Sequence, residues 1–117
     1  MNVTPRVCDL PATLARLGDN AALVRELLEL FREDAPVFQS RLTNALSHGD
    51  FAGVARASHS LSGMLTTFGA EAAMQIAQCL ERMGQVGDLT GAKAQNEKLG
   101  DEISRFLKIV SEKLAEL

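Results

Sequence analysis

The sequence contains no tryptophan and no tyrosine. That leaves little from which to build a stacking site for bases or sugars. It has two cysteines, Cys8 and Cys79. One falls in an expected loop and the other in an expected helix, so they read as free thiols and not as a disulfide framework. The two histidines do not form a His-x-x-x-His pair, and no cysteine stands at ligand spacing, which argues against a metal site. Excess basic charge is also missing. The net charge is −3, which disfavours nucleic acid or an anionic membrane as the main partner. No apolar run approaches the ~20 residues that a spanning helix needs. The opening residues, Met1 to Arg6, lack the apolar core of a signal peptide. The expected compartment is therefore the cytosol. There is no internal repeat, no low-complexity segment and no stretch with the period-two alternation of a strand.

What is present is an amphipathic helical text of 117 residues, 46% hydrophobic and 23% charged. That length suits one domain with one core. Residues 1–8 read as a flexible lead-in, of the kind left when a segment is cut from a longer chain, and 9–117 as the domain. Asp9 can cap a short helix carrying Leu10, Leu14 and Leu17, which Gly18 ends. Asp19 or Asn20 caps a second, with Leu23, Val24, Leu27, Leu28 and Phe31 on one face. Pro36 interrupts the pattern, and a new helix is expected from Asp34, with Phe38, Leu42, Ala45 and Leu46 on its seam. His48 in its last turn suits the negative end of the helix dipole. A further helix follows over 71–83, with Ala73, Ile76, Leu80 and Met83 facing in. Asp88 should cap the longest helix, where Leu89, Ala92, Leu99, Ile103, Phe106, Val110 and Leu114 keep a near-heptad spacing. Short connections make successive helices antiparallel. The expected fold is all-α: an up-down four-helix bundle with one or two additional N-terminal helices.

The chain is organised around residues 50–70. Asp50 is a good N-cap and Gly69 a good residue for ending a helix in the left-handed conformation. Between them Phe51, Val54, Ser58, Leu61, Leu65 and Phe68 recur at spacings of three and four, forming one core-facing stripe. His59 lies outside that stripe, roughly 130° from its centre at about 100° per residue. Its neighbours are small: Ala52, Ala55, Ser62, Gly63 and Thr66. Gly63 follows one turn later, although a mid-helix glycine costs about 1 kcal/mol relative to alanine. The pattern keeps a histidine approachable by something large.

His59-Ser60-Leu61-Ser62-Gly63, followed by Phe68-Gly69-Ala70, resembles the signature of histidine phosphotransfer (HPt) domains: His-x-Leu-Lys-Gly, a short spacer, then Gly-Ala. Leu17-Gly18-Asp19, the stretch from Leu27 to Pro36, and Leu46-Ser47-His48-Gly49-Asp50 also resemble the segments that precede the histidine in that family. The likeness covers residues 9–115. It implies a phosphorelay intermediate that accepts a phosphoryl group on His59 from an aspartyl phosphate and passes it to a response regulator. Imidazole suits that nucleophilic role, because its ordinary pKa of about 6.5 leaves it mostly neutral at cellular pH. The implied partners are receiver domains and a hybrid sensor histidine kinase. The receiver would supply Mg²⁺, with no cofactor bound to this chain and no autonomous kinase activity. The chain would act as a monomer, free in the cytoplasm or as a domain of a membrane-bound hybrid kinase.

One position departs from the signature. Ser62 stands where the family has lysine, and a hydroxyl offers a hydrogen bond but no charge. Arg56, one turn before His59, and Arg82 on the next helix are candidates to compensate, so Ser62→Lys is expected to leave activity intact or raise it. Gln78 and Glu81 lie on the polar side of that helix, and either is placed to orient the imidazole. Docking is expected to use Ala52, Ala55, Gly63, Leu65 and Thr66. The departure at Ser62 also leaves open a non-transferring adaptor that docks receiver or kinase domains. A purely structural, dimerising bundle is a third reading, and the well-formed polar faces argue against it.

Overall fold

The computed structural model describes residues 4–116. Among them are five helices and no strand: α1 (Leu10–Arg16), α2 (Ala21–Ser47), α3 (Phe51–Thr67), α4 (Glu71–Val86) and α5 (Ala92–Glu116). Helices α2 to α5 pack each on the next, and α5 returns against α2, closing a four-helix bundle. Helix α1 is the one additional element, leaning on α2. The core is aliphatic along its length, with Leu28, Leu42, Leu61, Leu65, Leu80, Leu99 and Ile103 fully buried. Phe31, Phe68 and Phe106 close the α1 end, with ring centroids 5.0–5.7 Å apart.

The break expected at Pro36 does not occur. Residues 21–47 form one helix with Pro36 inside it. Phe31, Ala35, Leu42 and Ala45 are all buried, so a single apolar stripe runs straight past the proline. Pro36 and Arg32 are both exposed. Water therefore reaches the Arg32 carbonyl that proline cannot satisfy, and packing on both sides outweighs the lost bond. The last helix also starts later than expected. Asp88 accepts a bond from the Thr90 amide at 3.0 Å, and Thr90 holds its carboxyl below the usual range, first through the hydroxyl and then the amide. Asp88 thus organises a turn, and Leu89 packs against the core from that loop.

The expected flexible lead-in is held down where it is described. The Ala72 amide donates to the Arg6 carbonyl at 2.9 Å, Arg6 pairs with Asp9, and Val7 and Cys8 pack against the core. Residues 1–3 lie outside the described part of the chain.

The histidine helix is anchored at both ends. Asn20 and Asp50 cap α2 and α3, each accepting from the amide three residues on. Gly69 adopts φ +60° after the last turn of α3, and a Cβ there would lie 2.9 Å from the Asp9 side chain. That close approach lets the Asp9 amide donate to the Phe68 carbonyl at 2.8 Å. Buried Thr13 and the Arg16 guanidinium both donate to the Thr67 carbonyl, at 2.9 and 2.7 Å. The short α1 therefore satisfies carbonyls that the end of α3 would otherwise leave open.

Candidate functional site

His59 projects from the middle of α3 with its side chain 76% exposed. Behind it Val54, Ala57, Ser58, Leu61 and Leu65 are buried, so an open ring stands on a backbone fixed by the core. Its Nδ1 lies 2.8 Å from Oε2 of Glu81 on α4. A carboxylate only accepts, so Nδ1 carries the hydrogen and donates. The lone pair is then on Nε2. Glu81 thus selects the tautomer, orients the ring, and sets a negative charge beside any cation formed on it. Glu81 is itself only 21% exposed, which limits the number of places its carboxylate can occupy.

The turn at Gly69–Ala70 explains the partner. Helices α3 and α4 run antiparallel from it, so residues equally distant from residue 70, to within one position, meet. Thr66 meets Met74, hydroxyl to sulfur at 3.0 Å. Ala55 meets Gly84, where an added Cβ would lie 2.7 Å from the Ala55 nitrogen and the Phe51 oxygen. His59 meets Glu81 by the same count. Gln78 is exposed and makes no hydrogen bond to His59 among the described residues. Of the two polar residues expected to orient the ring, the bond is to Glu81.

The other expected residues divide. Ala52, Arg56, Gly63, Thr66 and Arg82 are exposed. A Cβ added at Gly63 would meet nothing within 4 Å, so that flank of His59 is open. Arg56 and Arg82 form no ion pair among the described residues. Three residues need correction. Leu65 is fully buried and offers nothing to a partner; it belongs to the core stripe. Ala55 is half-buried, its backbone against Gly84. Ser62 is 7% exposed, so little of its side chain is displayed to a partner. A lysine at this place would have to run its stem out along α4 to reach solvent. Phe51, expected in the core stripe, is 45% exposed, because it opens α3 beyond the edge of the seam, beside Gly87.

His48 caps the end of α2, with Nδ1 2.8 Å from the Asn44 carbonyl, as suits a helix C-terminus. Cys8 and Cys79 are free and half-buried. Burial pushes the Cys8 thiol up from its ordinary pKa. Among the described residues no three or more His, Cys, Asp or Glu side chains come together as a cation site, and no helix is long and apolar enough to cross a membrane.

The family model of the Hpt domain matches residues 26–109, more than half of the chain. The chain belongs to the Hpt domain family. A histidine phosphotransfer role in two-component signalling follows from that membership. Two solved structures share the fold of this Hpt domain. One is histidine-containing phosphotransfer protein B (HptB) from Pseudomonas aeruginosa PAO1, 20% identical, with a TM-score of 0.89 and 97% of this chain and 99% of that one covered. The other is the HPT domain of an Hpt sensor hybrid histidine kinase from Shewanella, 19% identical, with a TM-score of 0.83 and coverage of 95% and 96%. No curated protein matches the chain in sequence.

Proposed function

We propose that this Hpt domain accepts a phosphoryl group on Nε2 of His59 from an aspartyl phosphate on a receiver domain and returns it to a second receiver. The observation that carries the proposal is the pairing of an exposed imidazole with a carboxylate on Nδ1. The Nε2 lone pair attacks phosphorus, the N–P bond forms, and the P–O bond to the aspartyl carboxylate breaks with its electron pair on that carboxylate. The ring is left as a phosphorylated imidazolium, its Nδ1 hydrogen still bonded to Glu81. The negative charge of Glu81 opposes the positive charge that develops there. The reverse step restores the neutral ring.

The Mg²⁺ that offsets phosphoryl charge is assigned to the receiver. What this chain contributes is the nucleophile, its orientation and a docking face. That face comprises Ala52, Gly63 and Thr66 beside His59, with Arg56, Gln78 and Arg82 at its rim. Arg56 and Arg82 are exposed and form no ion pair among the described residues, which makes them the candidates to offset the charge that Ser62 lacks.

The test is transfer from a phosphorylated receiver with Mg²⁺, comparing the wild type with His59→Gln. An acid-labile phosphoryl group on the wild type and none on the variant is expected. A receiver that binds the chain and transfers nothing would replace this reading with a docking adaptor.

A further inference from the structure

Beside the histidine, between the second half of α2 and the first half of α3, lies an open groove of about 530 Å³. Arg41, Asn44 and His48 line it from α2, and Arg56 and Ser60 from α3. The chain as a whole is acidic, at −3, yet this groove gathers two guanidinium groups. Neither Arg41 nor Arg56 forms an ion pair among the described residues. The one carboxylate in the lining, Asp50, is engaged at the start of α3, where it accepts from the Gly53 amide at 3.0 Å. The Arg41 guanidinium lies 5.0 Å from the centre of the Phe38 ring. Stacking of that kind holds the planar fork in place and leaves its N–H groups for another acceptor.

The groove is placed to matter for transfer. Arg56 is one turn before His59 and Ser60 is its neighbour, so a partner seated over His59 overhangs the groove on its α2 side. We propose that the groove is a docking site for an acidic segment of the phosphoryl-bearing partner, whose carboxylates pair with Arg41 and Arg56. This rests on the proposed function and adds the chemistry by which that partner is recognised. The basic groove meets the partner from one flank only. It therefore sets orientation and encounter rate, as charge complementarity at an interface does. Bidentate carboxylate geometry favours arginine over lysine at such a site.

The probe is a fluorescein-labelled octapeptide of alternating glutamate and alanine, titrated into the full chain at low salt. Amide shifts in an isotope-labelled sample should gather at Arg41, Asn44, His48, Arg56 and Ser60. The double variant Arg41→Glu, Arg56→Glu should weaken binding roughly tenfold or more, and the double lysine variant roughly threefold. Circular dichroism should show each variant folded, as expected for two exposed positions. No binding by the wild type, shifts gathered elsewhere, or a less than twofold effect of charge reversal overturns the proposal. Displacement of the peptide by inorganic phosphate, but not by chloride at the same ionic strength, also overturns it in favour of a small-anion site. Labelling by phosphoramidate, which needs no docking, reads His59 separately. Labelling without peptide binding removes the groove and keeps the transfer chemistry, and peptide binding without labelling does the reverse.

Discussion

At the smallest scale the proposed chemistry rests on three residues: His59, Glu81 and, by its smallness, Gly63. Glu81 acts through the imidazole and is a positioning residue. Removing it frees the ring to take the other tautomer and withdraws the charge opposite the imidazolium. A hydrogen bond to a charged group is worth about 1.5–3 kcal/mol, so Glu81→Ala should slow transfer roughly tenfold to a hundredfold. Glu81→Gln keeps an acceptor and should lose less. Imidazole nitrogen shifts in isotope-labelled protein check the cause, since the alanine variant alone should show the mixed tautomers of a free histidine. An unchanged tautomer in Glu81→Ala would remove this role. The exposure of His59 was legible in the sequence because a histidine among small residues, with a glycine one turn on, is a local pattern. The burial of Ser62 was not legible, because its position lies between the core stripe and the exposed face. The two sides of a helix do not settle which way such a residue goes until the next helix is in position.

Individual helices carry two further expectations. Proline in a helix interior disfavours it by about 3 kcal/mol relative to alanine. Part of this is returned through the restricted unfolded chain. Pro36→Ala should therefore raise stability by roughly 1–2 kcal/mol, seen as a higher midpoint in urea with an unchanged slope. A lower midpoint would show that the proline is needed for the path of α2. Gly84 is the opposite case. An added methyl meets backbone atoms of α3 at 2.7 Å, and backbone cannot turn aside as a side chain can. Gly84→Ala should destabilise by roughly 1–3 kcal/mol and shift His59 against Glu81, since both pairs sit on the same seam. Thermal melting and the imidazole shifts should change together. At this scale the sequence showed helix identity and most ends, because caps and apolar spacing are local. It misled at Pro36, where the local rule against proline met a core stripe continuous from Phe31 to Ala45. It misled again at Asp88, whose carboxylate serves a turn and not a helix start.

Over the whole molecule, the bundle brings together what is far apart in the chain. The four apolar faces and short turns made that bundle legible, and the position of the His59–Glu81 pair follows from the turn at residue 70. The basic groove was not legible. Arg41 and Arg56 read singly as solvated charges, and only the antiparallel pairing of α2 with α3 sets them on one concave surface. The short α1 serves the site indirectly, by tying the end of the histidine helix through Thr13 and Arg16. Within this frame the proposed chemistry comes down to one atom, Nε2 of His59, as carrier of the phosphoryl group. The most direct measurement is to phosphorylate the intact chain with phosphoramidate and locate the label by phosphorus NMR and peptide mapping. A single acid-labile phosphoryl group on Nε2 of His59, absent in His59→Gln, is expected. A label on His48 or on Nδ1 of His59, or a labelled His59→Gln, would contradict it.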